Sequence, residues 1–204
     1  MSFLTYSGLK SAVADWMDRT DLTSRMADFV QLGEARLNRI LRTQDQITVA
    51  TLTASSEYAN LPSDWAQTSR LNYSGNPLDK LTFLAVDSFE DERANYPAGG
   101  KPKYYTIVGR RARFLPVPDT SYSLTHIYWA SIPALSDSNT SNWLLTAHPD
   151  IYLNATLYFA QRFVRDAEGM NEADADLVRA IGELGVSDDR SKMPTTPRMR
   201  TKPI

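Results

Sequence analysis

The chain has 204 residues, and its hydrophobic content of 42% and charged content of 23% are ordinary for a folded globular protein. Because the sequence contains no cysteine, disulfides, thiol catalysis and cysteine-ligated zinc are excluded. The formal net charge of −2 argues against a general nucleic-acid binder, and no apolar run approaches the roughly 20 residues of a membrane helix. We therefore expect a soluble protein that is made and kept without secretion.

Two amphipathic helices are predicted at the start of the chain. Apolar residues recur at every third or fourth position over residues 8–18, which is the spacing of one helix face. The same spacing returns over residues 24–42, after Thr23, a residue type that commonly caps a helix. The polar face of this second helix is expected to include Glu34 and Asn38. We therefore expect residues 1–45 to form a helical hairpin.

From residue 46 the sequence has the pattern of β-strands. The segments ITVATLTA and SYSLTHIYWASI are rich in β-branched and aromatic residues, and turn residues separate several further short strands. A short polar helix or turn interrupts them within AVDSFEDERANYPAGGKP. The pattern predicts a small antiparallel β domain over residues 46–134, inserted between helical segments.

Helix is predicted again after the polar run 136–142. Pro149 suits the first position of a helix, and DIYLNATLYFAQRFV is apolar on every side, so this helix is expected to be central. A last helix is predicted over about 171–184, so that residues 135–187 complete the bundle. The predicted fold class is α+β: an antiparallel bundle of about four helices, the inserted β domain and an extended C-terminal tail.

The end of the chain differs in charge from the rest. Residues 190–204 hold five basic residues, no acidic residue and three prolines. Proline opposes both helix and central strand, because its ring fixes φ and its nitrogen carries no hydrogen. We therefore expect residues 188–204 to form an extended basic arm.

The sequence offers no specific catalytic or metal site. His126 and His148 are its two histidines, and two histidines alone cannot supply a three-histidine metal site. The acidic run 90–92 could supply an acid/base pair, but a solvated turn is the simpler interpretation, and we favour it. We therefore predict no catalytic residue, no cofactor, no bound metal and no enzyme activity.

A basic cluster at Arg110, Arg111 and Arg113 leaves one alternative open. These arginines lie beside two tyrosines, a combination that could contact a phosphate backbone. A solvated strand face next to a turn at Gly109 is the simpler interpretation, and we favour it.

Four stretches, taken in chain order, carry a more specific signal: ADFVQLGEARLNRILR, NLPSDW, GKPKYYTIVGRRARFLPVPD and SIPALSDSNTSNWLLTAHPDIYLNATLYFA. Together they resemble the corresponding segments of bacteriophage head-to-tail connector (adaptor) proteins, and the resemblance covers most of residues 1–187. It implies a structural virion protein without catalytic residues. The family assembles as a ring, usually of twelve copies, which docks under the portal and is the platform for the tail.

The same resemblance implies partners and a location. The partners are the portal protein, the next tail or nozzle protein, and further copies of the chain in the ring. Genomic DNA would pass through the lumen without sequence-specific binding, and no membrane is involved. The protein would be made in the host bacterial cytoplasm and would lie in the neck of the virion, between capsid and tail.

The resemblance also suggests which residues carry the function. In related connectors an extended C-terminal arm reaches the portal. The portal-binding residues expected in that arm are Arg190, Lys192, Pro194, Pro197, Arg198, Met199, Arg200 and Lys202. The residues expected at the junction of the β domain and the bundle are Trp143, Leu144, Pro149 and Tyr152, and Trp143 and Leu144 are expected to fill it.

Two rival functions remain open from the sequence. One is a tail-terminator or tail-completion protein, which caps the tail instead of the portal. The other is a cell-wall glycan-binding or hydrolysing module, in which exposed aromatic rings stack on sugars. The rings available for such stacking are Tyr104, Tyr105, Tyr128 and Trp129, although the core of a β-sheet is their commoner location.

Overall fold

The computed structural model describes residues 3–76 and 78–192. Within these residues there are six α-helices and seven β-strands. The helices are α1 (Tyr6–Trp16), α2 (Met26–Ile40), α3 (Val86–Arg93), α4 (Trp143–Ala147), α5 (Pro149–Val164) and α6 (Ala167–Lys192). The strands are β1 (Ile47–Ala54), β2 (Tyr58–Asn60), β3 (Trp65–Tyr73), β4 (Thr82–Phe83), β5 (Tyr104–Val108), β6 (Arg111–Leu115) and β7 (Tyr122–Ala130).

The α+β composition is as predicted, but the simple bundle of about four helices is wrong. The polar run ends in a separate short helix, α4, because Asn142 caps its first turn and Pro149 begins a new helix. The short polar segment 86–93 is a further helix, α3. The β region forms two sheets, and its strands are not all antiparallel as predicted, since β4 pairs with β5 in parallel.

The chain divides into two compact units. The helical unit comprises the described parts of Met1–Asp45 and Ile132–Ile204, and the β unit comprises the described part of Gln46–Ser131. Each unit has its own cluster of buried apolar side chains, centred on α5 in the helical unit and between the two sheets in the β unit.

In the helical unit, α5 is the central element. Helices α1, α2, α4 and α6 all pack against it, which agrees with the apolar character of its whole circumference. The approach of α2 is especially close, since a Cβ added to Gly33 would lie 3.3 Å from the carbonyl group of Ala155. Much of the apolar surface of α5 is therefore buried by helices of the same chain.

Helix α6 is longer than the helix predicted over 171–184. It extends to Lys192, because side chains near its end form stabilising interactions. The Asp188 carboxylate lies 2.7 Å from the Lys192 amine, one helical turn away, and accepts a hydrogen bond of 2.8 Å from the backbone N–H of Gln44. Residues 188–192, expected to begin an extended arm, therefore belong to a helix.

The β unit contains a three-stranded sheet of order β1-β7-β3 and a four-stranded sheet of order β2-β6-β5-β4. Strand β1 is antiparallel to β7 along its whole length, from Ile47 opposite Trp129 to Ala54 opposite Tyr122. Strand β3 pairs with the other side of β7, with two irregularities in register. The inward faces meet in a core that includes Leu52, Leu71, Phe114 and Leu124.

Candidate assembly surfaces

Two side chains of α2 bind the backbone of residues 132–135, the segment that precedes α4. Asn38 accepts a hydrogen bond of 2.8 Å from the backbone N–H of Ile132, and Glu34 accepts one of 2.7 Å from that of Leu135. Residues four apart on a helix share a face, so these two acceptors lie one above the other. The expectation that Glu34 lies on the polar outer face is wrong, since only 6% of its surface is exposed.

Asn142 and Tyr152 complete a buried network of hydrogen bonds with Glu34. The Tyr152 hydroxyl donates to Glu34 at 3.1 Å and accepts from the Asn142 amide at 2.7 Å. The same amide donates to the backbone carbonyl of Pro133 at 2.7 Å, while the Asn142 side-chain oxygen accepts from the backbone N–H of Leu145 at 2.9 Å and caps α4. The network joins α2, α4, α5 and the backbone of residues 133–135.

Burial shifts the ionisation of both acidic members of the network. It raises the pKa of Glu34 above its ordinary value, although the hydrogen bonds from Leu135 and Tyr152 act in the opposite direction. Burial also raises the pKa of Tyr152, and the neighbouring Glu34 carboxyl raises it further. Both shifts favour the neutral forms, because an isolated charge is costly away from water.

The four predicted junction residues all lie in the helical unit. Leu144 and Tyr152 are fully buried in its core, whereas Pro149 is the partly exposed first residue of α5. Trp143 packs against the edge of this core and is partly buried, which is less burial than expected. The role of these residues at a junction stays a prediction.

The predicted portal-binding residues fall on both sides of the last described position. Arg190 and Lys192 lie in the last turn of α6. Lys192 is paired with Asp188 at 2.7 Å and with Asp189 at 3.1 Å, and its hydrogen bond to Asp188 raises its pKa. The other predicted residues lie outside the described part of the chain: Pro194, Pro197, Arg198, Met199, Arg200 and Lys202.

Several large apolar side chains of the helical unit remain exposed to solvent. Trp16 at the end of α1 is 63% exposed, and Phe163 near the end of α5 also lies at the surface. Trp16 borders a groove along α1 that Phe3, Gly8 and Ala12 also line. Exposed tryptophan is typical of protein–protein contact surfaces, which favours an assembly function.

The sequence profile of the SU10 adaptor protein family matches residues 4–200. The chain belongs to the SU10 adaptor protein family. This confirms the resemblance to phage adaptor proteins, and it makes the chain a structural component of a phage virion. The family is structural and not catalytic. No curated protein sequence matches the chain.

The arginine cluster of the adaptor serves contacts within its β unit. Arg113 is buried and pairs with Glu57 at 2.7 Å and with Glu90 of α3, whose pKa it lowers through this hydrogen bond. Arg110 donates to the backbone carbonyl of Ser63 at 2.6 Å. These contacts fasten α3 and the loop after β2 to the sheet, and they leave little support for a phosphate-binding surface.

The two histidines of the adaptor lie in structural elements: His126 in β7 and His148 between α4 and α5. Burial lowers the pKa of His126 to about 4, so its ring is neutral at physiological pH. Its Nε2 atom lies 3.0 Å from the hydroxyl of Thr68, which itself accepts a hydrogen bond from the Trp65 indole at 2.9 Å. His148 separates α4 from α5.

Residues 3–76 and 78–192 contain no group of three or more histidine or acidic residues placed to hold a metal ion. None of the helices in these ranges is both long and apolar enough to cross a membrane.

Proposed function

We propose that this adaptor forms a ring that docks under the portal of the phage capsid, in the neck of the virion, and presents a platform to the next tail or nozzle protein. The observation that carries the proposal is the family match over residues 4–200. A ring of twelve copies, made in the host cytoplasm and assembled around a lumen that passes DNA, fits an adaptor of this kind.

Ring formation requires two different surfaces on each copy. A head-to-tail contact between unlike surfaces closes into a ring when the rotation between copies is right, whereas a contact between like surfaces stops at a dimer. The groove beside Trp16 on α1 supplies one apolar surface. The outward face of α6 supplies a different one, where Val178 and Val186 are exposed among acidic residues.

We further propose that the segment after α6 binds the portal. Residues 193–204 contain Arg198, Arg200 and Lys202, no acidic residue, and three prolines. A chain of this length reaches at most roughly 40 Å when extended. Proline lowers the entropy lost when an extended segment becomes ordered. The positive charges would pair with carboxylates on the portal, in which case docking weakens as salt rises.

A chain that ends at Lys192 tests the role of this segment. We expect it to melt at nearly the same temperature as the full chain but to bind portal-bearing capsids at least tenfold more weakly. Binding is measured by co-sedimentation with the capsids at low and high salt. Full-length protein with Arg198, Arg200 and Lys202 changed to glutamine should show the same loss.

A matched triple variant controls for total charge. Arg39, Lys80 and Arg162 are exposed basic residues outside the segment, and their change to glutamine should leave capsid binding close to that of the unaltered protein. If the chain ending at Lys192 binds as well as the full chain at both salt concentrations, the C-terminal segment does not bind the portal.

A further inference from the structure

Strand β1 forms one edge of its sheet. The strand order is β1-β7-β3, and within the described part of the chain only β7 pairs with β1. In an antiparallel pair, alternate residues direct their backbone N–H and C=O groups away from the partner. About half of the residues of Ile47–Ala54 therefore present these groups along an open edge, where another extended chain can pair with them.

The two edges of this sheet differ in how they are protected. Along β3 the register shifts twice, between Trp65 and Gln67 and between Thr68 and Arg70. The end of β3 is also covered, since the backbone N–H of Leu81 donates to Leu71 at 2.9 Å. β1 pairs in regular register over eight residues, and its sequence ITVATLTA has neither charge nor proline. Bulges, charges and proline are the usual protection of edge strands, and β1 has none of them.

The outer face beside this edge is apolar. Val49 is 62% exposed and Ile47 is also exposed. Their neighbours across the sheet are Ile127 and Trp129, which are only partly buried. These four side chains form a row of two cross-strand pairs, which an added strand could extend with apolar side chains of its own.

On the inner face of the sheet, too, side chains beside the open edge of β1 remain uncovered. Thr48 and Ala50 point toward the core side but remain partly exposed, while the residues opposite them on β7, Tyr128 and His126, are buried. A strand added beside β1 would cover Thr48 and Ala50 as well. The edge therefore offers both unpaired backbone groups and apolar area to the same occupant.

We propose that β1 accepts an extended segment of another virion protein as an added strand. The inference rests on the proposed adaptor function, because it draws the segment from a component that the adaptor joins. The segment would be about eight residues long, to match β1, and uncharged, with apolar side chains at alternate positions. Backbone hydrogen bonds would supply affinity, and the row beside Val49 would select the side chains.

The strands of the adaptor itself are poor donors of such a segment. β2 and β4 have three and two residues, and β3 is interrupted by its two register shifts. The pairing of β1 with β1 of a second copy is two-fold symmetric, so it closes a dimer and cannot continue around a ring. Strands β5, β6 and β7 already have a neighbouring strand on each side, so we draw the donor from a different chain.

Hydrogen exchange of the full-length protein, free and docked on portal-bearing virions, tests the proposal. Fragmentation to single amides resolves alternate residues of Ile47–Ala54. We expect the outward-directed amides to exchange at least tenfold more slowly in the virion than in the free protein, while the amides already bonded to β7 change little. The substitution Val49→Lys should reduce incorporation at least tenfold, and Val86→Lys, at an exposed valine of the same unit, should not.

Three outcomes would overturn the proposal. A docked chain whose β1 amides exchange as in the free protein has no added strand, although its adaptor function stands. Protection of β1 that appears in the free protein as its concentration rises identifies a second copy as the occupant. A chain that does not associate with portal-bearing particles at all overturns the adaptor function and this inference together.

Discussion

Truncation of Leu144 to alanine is expected to destabilise the protein by about 3 kcal/mol. Leu144 is fully buried, in the core that surrounds α5. Removal of a buried leucine side chain costs about 2–5 kcal/mol, because transfer free energy is lost and a cavity remains. Chemical denaturation of the full chain, followed by far-ultraviolet circular dichroism, measures the loss.

Two neighbouring positions supply controls for Leu144→Ala. Trp143 is only partly buried, so Trp143→Ala should cost less than Leu144→Ala even though tryptophan is the larger side chain. Ser138 lies exposed in the polar run, and Ser138→Ala should stay within about 0.5 kcal/mol of the unaltered protein. A larger loss for Trp143→Ala than for Leu144→Ala would show that this account of the core is wrong.

The substitution Glu34→Ala is expected to cost about 3 kcal/mol. It removes the acceptor for the backbone N–H of Leu135 and for the hydroxyl of Tyr152. A buried donor left without an acceptor costs about 1–3 kcal/mol. Glu34→Gln keeps a side chain of the same length with an acceptor oxygen, so it should reduce stability much less. Equal losses for the two variants would contradict the role of Glu34 as an acceptor.

The difference in the free energy of unfolding between Glu34→Gln and the unaltered protein should depend on pH. Because burial raises the pKa of Glu34, the folded state holds this proton more tightly than the unfolded state. The resulting stabilisation is complete below the ordinary pKa of a glutamate and is lost as pH rises through the raised pKa. The stability of Glu34→Gln relative to the unaltered protein should therefore rise between about pH 4 and neutrality. A difference that stays constant over this range would contradict the shift.

The elements with clear periodicity could be predicted from the sequence. The alternation in β7, the apolar circumference of α5 and the stripe on α2 each follow from side-chain spacing, and the β-branched residues of β1 indicate a strand. The burial of Glu34, which was not predicted, is nevertheless indicated by its spacing from apolar residues. Glu34 lies four residues after Val30 and three before Leu37, both buried, so it occupies the apolar stripe of α2. A carboxylate ordinarily faces solvent, so the sequence alone does not place Glu34 inside. Its buried hydrogen-bond donors explain its position.

Other features depend on contacts that no local pattern contains. The end of α6 is held by Asp188, whose partner Gln44 is distant in sequence. Trp143 is only partly buried, whereas its neighbours Leu144 and Leu145 are fully buried in the core around α5. The open edge of β1 follows from the strand order, since a strand sequence does not state which strands flank it.

Electron cryomicroscopy of portal-bearing capsids mixed with the purified protein tests the adaptor function most directly. We expect additional density in the form of a ring of twelve adaptor copies, seated on the outer end of the portal. The helical unit and the β unit should both be recognisable in each copy. Portals that remain bare at saturating protein, with the protein folded and the capsids intact, would contradict the account.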